Sequence, residues 1–372
     1  MSDRSAQSPR VADARPGAVS GKVVLRRSYL MGRPNHFAQL SARAGGPAES
    51  RPKLFRGKSD PEAAARQWSG LAALLASRGI DVLALQPDKN LPELAVASLA
   101  GFLPDRSART FVGDKLFLVG APVDKHRQEI QAGFNKAIRG IGLRIVDLRY
   151  RFGGGCDFFR CGKHYLFTPG VDDIEDAPEG AAQRFMSLLS KKPTEWSTDK
   201  RLREDLLQYA GGAEVLEFHL TDPRFPRGDM VLNGIGPDRN ILVVYVQALH
   251  QDAQHLVLGR KNKVSDYLIP LSEHDAAMYA AGGIHLAPMK EGDRPAYILP
   301  EGVTDDLLAR IDRAGIEPIP APFSEWIKKD RGGPVSLLCD LGYLRDDKRT
   351  QTPDVTQFRA SLRNVVEAQP SG

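Results

Sequence analysis

The chain has 372 residues, 42% apolar and 26% charged, and 51 Lys and Arg against 46 Asp and Glu leave a net charge of +5. No apolar run approaches the length of a bilayer-crossing helix, and the basic residues are interspersed or in short pairs such as Arg26-Arg27 and Lys328-Lys329. A helical membrane span is thereby excluded, and the interleaved aromatics or module of a nucleic-acid binder are absent, so neither membrane nor nucleic acid is an expected partner.

Met1 to Ser20 is rich in Ser, Arg, Ala and Pro without an apolar core, which reads as a disordered leader rather than a secretory signal. Lys22 to Leu25 is strand-like, Tyr29 to Phe37 is turn-rich and suited to line a site, and Ala42 to Lys58 reads as a long loop. From Asp60 a helix is well signalled: Asp60 can cap, Pro61 suits the first turn, Ala64, Trp68, Leu71 and Leu75 share a face, and Gly79 ends it. The strand Ile80 to Leu85 follows. The same order recurs. Asp124 opens a helix that stops near Gly140 and runs into Leu143 to Leu148; Leu202 to Tyr209 meets Gly211-Gly212 and a strand from Glu214. Asp275 to Ala281 meets Gly282-Gly283 and Ile284 to Ala287; Thr304 starts a helix that ends at Gly315 before Ile316 to Ile319. Further strands are expected at Lys115 to Val119, Tyr165 to Thr168, Ile241 to Val246 and Ala296 to Leu299. Five helix, glycine, strand units imply a repeated α/β or α+β architecture. Gly153-Gly154-Gly155 lacks the spacing of a dinucleotide fingerprint and no P-loop is present, so no cofactor is called for. The polar stretch Lys191 to Arg201 is expected to be a peripheral insertion, and 346–372 a polar tail.

Glu214 to Leu220 alternates, with Val215, Glu217 and His219 on one side and Leu216, Phe218 and Leu220 on the other, as a half-buried strand does. Asp222-Pro223 and Phe225-Pro226 then bend the chain, so Arg224, Arg227 and Asp229 project from a stiff loop at a strand end. The three cysteines, Cys156, Cys161 and Cys339, are too few for a disulfide framework, and a cytoplasmic location is expected. Cys156, Cys161 and His164 could begin a metal site, but no second cluster supplies the remaining ligands, so no metal is expected.

Four stretches, Met31-Gly-Arg-Pro-Asn-His-Phe37, Phe152-Gly-Gly-Gly-Cys-Asp157, Asp222-Pro-Arg-Phe-Pro-Arg-Gly-Asp229 and Ser324-Glu-Trp-Ile-Lys328 followed by Gly332-Gly333, occur in the order found in one superfamily. The chain from about Tyr29 to Leu341 resembles the penteins, in the branch of amidinotransferases and dimethylarginine dimethylaminohydrolases. The resemblance implies a single domain over 21–345 folded as a five-bladed α/β propeller with pseudo-fivefold symmetry. It also implies a pocket in which a cysteine thiolate attacks a guanidinium carbon, a histidine moves protons and carboxylates hold the cation.

Carried over residue by residue, that chemistry is incomplete. Where the family reads Asp-Pro-Arg-Phe-Tyr-His-Leu-Asp, Arg227 takes the histidine's place, while Asp222, Arg224 and Asp229 match. An arginine is always protonated and cannot act as a base. Gly153 replaces a glutamate, Cys156 a glycine, Leu99 a polar residue, and Ser336 falls at the nucleophile position, with Asp157 retained. Cys339 is the rescue candidate, although an offset of three from Ser336 turns it to the other face of a strand. Asp157 and Asp229 can equally serve to hold their loops through backbone N–H groups. His36 or His285 could stand in as a proton shuttle, and His219 belongs at a pocket edge. The expectation is a homologue without the usual Cys/His chemistry that binds a small molecule (an amino acid, a guanidino compound or an anion such as carboxylate or phosphate) through Asp157, Arg224, Arg227, Asp229 and Ser336. The alternative is an active guanidine-modifying enzyme using Cys339. A homodimer or a protein partner remains compatible with either.

Overall fold

The computed structural model describes residues 25–40, 57–86, 89–94, 101–104, 115–122, 124–170, 196–259, 264–288, 292–329, 332–345 and 355–357. The leader, most of the Ala42–Lys58 loop, Leu99, residues 191–195 and most of the tail lie outside them.

The described residues form five small sheets built to one plan. In each, a first strand lies antiparallel to a second, and the second lies parallel to a third reached through a helical crossover, as a parallel pair requires. The first sheet joins the two ends of the described chain: β14 (Leu338–Arg345) pairs with β1 (Leu25–Gly32), and β1 crosses through α1 (Pro61–Ser77) to β2 (Asp81–Leu85). In the second, a bridge from Phe102 to Leu118 stands for the first strand, and α2 (Lys125–Gly140) joins β3 (Leu116–Val119) to β4 (Arg144–Asp147). The third runs β5 (Phe158–Cys161), β6 (His164–Phe167) and β7 (Glu214–Glu217), with α3 (Arg203–Leu207) in its crossover. The fourth is β8 (Leu232–Ile235), β9 (Ile241–Val244), α4 (Gln251–Leu258) and β10 (Tyr267–Pro270). After a short helix α5 (Glu273–Ala277), the fifth is β11 (Ile284–Leu286), β12 (Ala296–Pro300), α6 (Asp305–Arg313) and β13 (Glu317–Ala321).

The local signals behave as physical chemistry requires. Asp60 caps α1 through the Glu62 and Ala63 amides, Asp124 caps α2, and Thr304 caps α6. Trp68, Leu71, Ala72 and Leu75 bury the inner face of α1, and Gly79 leaves the helix at φ +76°.

Four sequence expectations are corrected. The helix at Asp275 does not cross over within a sheet: it leads into β11, the first strand of the fifth sheet, and the fourth sheet's crossover is α4. That helix escapes pattern reading because His250 supplies its cap and Leu256 and Leu258 are exposed, which blurs its apolar stripe. Tyr29, Leu30 and Met31 are buried strand residues and not a turn. Trp196 is buried against Gly170, so the described part of the expected insertion is not peripheral. Within the tail, β15 (Val355–Gln357) adds to β2 as a fourth strand.

Three of the first strands, β5, β8 and β11, are neighbours. An added Cβ on Gly234 of β8 would stand 2.5 Å from the Arg160 carbonyl of β5, and Asn233 of β8 donates to the Ala281 and Gly283 carbonyls at the start of β11. Short 3-10 turns lead into four of the first strands, at Gly154–Cys156, Gly228–Met230, Ala280–Gly282 and Pro334–Leu337. These turns pack backbone on backbone. A Cβ on Gly333 would lie 2.5 Å from the Gly282 carbonyl oxygen, and one on Gly154, already at φ +69°, would collide with the Gly101 carbonyl. Gly154→Ala is therefore expected to lower stability by about 1–3 kcal/mol in urea unfolding. Gly70→Ala, exposed on α1 with open space around it, is expected to raise stability by about 0.5–1 kcal/mol in the same assay.

Candidate functional site

The turns bring their side chains to one place. Asp157, at the end of the Gly154–Cys156 turn, is fully buried at 0% exposure. Its carboxylate accepts the Gly228 amide at 2.7 Å, the Thr168 hydroxyl at 3.1 Å, the Thr198 hydroxyl at 2.5 Å and the Ser197 hydroxyl. Burial raises its pKa and outweighs the hydrogen bonds that favour the anion. Thr198 also accepts the Gly153 amide at 2.8 Å. Position 153 must be glycine here, because an added Cβ would collide with the Asp157 carboxylate.

The amide of Gly228 places the loop that precedes β8. Phe225 closes a turn onto Asp222 and buries its ring against Tyr245 and Tyr279. Arg227 turns inward, only 4% exposed, and its Nε and Nη2 donate to Asp229 Oδ1 and Oδ2 at 2.9 and 3.1 Å. This is the bidentate fork that matches a guanidinium to a carboxylate. Burial opposes the arginine's charge, but Asp229, with Cys156 and Asp157 nearby, carries its pKa above the ordinary value. The guanidinium also lies against Gly332, where an added Cβ would meet Nη2 and would sit 3.5 Å from Ser336 Oγ. Ser336 is fully buried and donates to the Gly333 carbonyl at 2.6 Å. Cys156 completes the group. Burial pushes its thiol well above the ordinary range, and the nearby charge of Asp229 pushes it further.

Arg227, Asp229, Asp157, Ser336 and Cys156 thus converge. Arg224 does not join them: its guanidinium points outward to Asp222 and Glu273. Cys339 does not either. It pairs with Leu30 of β1 and packs with Leu83, Phe117 and Phe134 in a separate apolar cluster. The one irregularity of the β1–β14 ladder falls between Arg27 and Tyr29, on the far side of Cys339 from the turn, and so does not swing the thiol toward Arg227. At Arg227 one guanidinium faces two carboxylates, and its hydrogen-bonding fork is engaged by Asp229.

The histidines lie elsewhere. His219 pairs with Glu217 at 2.9 Å, His164 with Glu214 at 3.2 Å, and His36 precedes the turn Phe37–Gln39. His285 is buried on β11, and its charged neighbours are Arg239 and Arg27. Cys161 donates to the Val264 carbonyl, away from Cys156. Among the described residues no group of three His, Cys, Asp or Glu could hold a metal ion. Ser197 and Thr198 are site residues that sequence reasoning missed, since nothing in a polar insertion signals a buried partner. Cys156 was more legible, standing next to Asp157 in the glycine motif.

No protein-family model matches the chain, and no curated protein sequence matches it. Solved structures do. The N-terminal domain of ArgZ, an arginine dihydrolase from the ornithine–ammonia cycle in cyanobacteria, bound to substrate, superposes with a TM-score of 0.62 at 18% identity, covering 86% of this chain and 99% of that one. AgrE, in a ternary complex with ornithine and NAD+, gives 0.62 at 20% identity over 85% of this chain and 39% of the AgrE chain. The DDAH of Pseudomonas aeruginosa, complexed with citrulline, gives 0.57 at 14% identity over 85% of this chain and 99% of that one. These neighbours are pentein-superfamily, arginine-modifying enzymes, and at such identities the likeness is one of fold. The chain has a mixed α/β fold of small sheets and helices similar to the pentein structures. No helix among the described residues is long and apolar enough to cross a membrane.

All three thiols are buried and ionise above their ordinary range, Cys161 at about 12. At about pH 8 the native protein should therefore show no thiol reacting with an aromatic disulfide within minutes, and three after unfolding.

Proposed function

We propose that residues 21–345 form a five-bladed α/β propeller of pentein type that has lost guanidine chemistry and acts as a cytoplasmic small-molecule-binding or regulatory protein. Five sheets of one topology, with β14 closing the chain onto β1, support the propeller. The observation that carries the functional reading is the Arg227–Asp229 pair. A guanidinium belonging to the chain itself occupies the buried carboxylate, at the position where the pentein resemblance expects a proton-transfer histidine. Arg227 cannot take a proton from Ser336, and Cys156 beside it is held as the thiol.

Charge then decides the ligand class. With Asp157 and Asp229 facing a single arginine, the site suits a guanidinium, and a guanidino compound would enter by displacing Arg227 from Asp229. Solved neighbours are complexed with arginine, ornithine and citrulline, in keeping with a ligand of that size.

Incubated with arginine or methylated arginines, the protein should release no citrulline, ornithine or amine. Turnover abolished by Cys156→Ala or by Cys339→Ala would overturn the reading. Arg227→Ala should cost about 3–5 kcal/mol, because it strands a buried carboxylate. Millimolar methylguanidine should restore part of the lost Tm where tetramethylammonium does not. Equal responses to the two cations would show that the site does not select a guanidinium.

A further inference from the structure

Arg33, Pro34 and Asn35 belong to the first of the four stretches that stand out in the sequence, yet the group around Arg227 does not use them. They leave β1 beside the start of α1, and both sides of that junction are fixed. The Arg33 amide donates to the Leu85 carbonyl at 2.8 Å, which extends the β1–β2 pairing by one residue, and Asn35 Nδ2 donates to Gln86 Oε1 at 3.0 Å. Opposite, Asp60 caps α1 through the Glu62 and Ala63 amides, and its own amide donates to Glu325 Oε2 at 2.7 Å. Arg33, Pro34, Pro61, Glu62, Ala65 and Trp68 line a cleft of about 350 Å³ at this junction. Its size lies at the small end of the range of about 300–1,000 Å³ that small-molecule sites occupy.

The charges in the cleft are unspent. The Arg33 guanidinium stands 5.9 Å from the centre of the Trp68 ring, and among the described residues no carboxylate pairs with it. Of its three nitrogens only Nε is buried without a hydrogen-bond partner, so the two Nη groups are the ones open to the cleft. An arginine laid against an indole is held in one orientation while its outer donors stay available, a geometry that takes a carboxylate on both at once. Glu62, in the first turn of α1, is the one carboxylate among the described lining residues; it is exposed and likewise forms no ion pair among them. Pro34, Pro61 and Ala65 supply apolar surface, and Trp68 is 3% exposed. A purely anionic ligand would meet Glu62 and a purely cationic one Arg33, so the set matches a zwitterion with an apolar body.

We propose that this cleft binds a free α-amino acid with an apolar side chain. The carboxylate lies on the Nη groups of Arg33, the ammonium toward Glu62, and the side chain against Pro34, Pro61 and Ala65. The site shares no residue with the Arg227–Asp229 pair, and neither reading depends on the other.

Titration of the full chain with L-leucine, followed by calorimetry and by the indole N–H resonance of Trp68, tests this. Leucine is expected to bind saturably and to move that resonance. Leucinamide, which lacks the carboxylate, and N-acetyl-leucine, which lacks the ammonium, should each bind at least tenfold more weakly. Arg33→Gln and Glu62→Lys should each weaken leucine binding at least tenfold, whereas Arg66→Gln, one turn further along α1 and outside the cleft, should leave it unchanged. If Arg33→Gln does not fold, Glu62→Lys, at an exposed position, decides. The proposal is overturned if leucine does not saturate, if leucinamide or N-acetyl-leucine binds as tightly as leucine, if a folded Arg33→Gln or Glu62→Lys binds as wild type, or if Arg66→Gln weakens binding as much.

Discussion

The fully buried carboxylate of Asp157 holds together three segments that are far apart in the chain. It accepts hydrogen bonds from the loop before β8, from β6's exit at Thr168, and from Ser197 and Thr198. An ionised or partly ionised group in such a place persists only when its lone pairs are satisfied. Once they are, the Gly228 amide is fixed, and with it the direction in which Arg227 and Asp229 enter the centre. The same carboxylate forbids any side chain at position 153, so the glycine there and the presence of Ser197 and Thr198 are two sides of one arrangement.

Around that node the fold is a repetition. A sheet of three strands with one crossover cannot bury both faces alone, and each here packs against its neighbours through the clusters on either side of it. The close approach of Gly154 to Gly101, and of Gly333 to Gly282, lets the entry turns meet without side chains between them. Polar side chains collect there because the turns, unlike the strands, are free to differ from sheet to sheet: one contributes Cys156 and Asp157, another Arg227 and Asp229, a third Ser336.

Much of the fold was legible because it rests on local rules. Asp60, Asp124 and Thr304 announce their helices, and Gly79 and Gly315 stop theirs, through interactions within a few residues of chain. Where a capping histidine and exposed leucines replaced those signals, in α4, the unit was assigned to the wrong stretch. In the site, the loop from Asp222 to Asp229 was readable as special, and Asp157, Arg227, Asp229 and Ser336 do come together. What the sequence could not convey was pairing. The charge of Arg227 says nothing of Asp229 on its fork, and Ser197 and Thr198 carry no local mark of the carboxylate they serve. Strand parity counted from Ser336 does not apply to Cys339, because Ser336 lies in the 3-10 turn before β14 and only Cys339 lies in the strand.

The substitutions that set this site apart are mutually consistent, which argues against piecemeal decay on the proposed reading. An arginine placed alone beside Ser336 would be a buried, unpaired cation, and Asp229 alone would be a buried, unpaired anion; each cost is several kcal/mol. Together they form a bidentate pair with neither charge exposed. Cys156 lies beside them as a buried thiol held above its ordinary range. A site that had merely lost its histidine would have kept an open carboxylate for a cationic ligand. Here the chain supplies the cation itself, so on the proposed reading access to Asp229 depends on whether Arg227 leaves, and an external guanidinium would compete with an internal one.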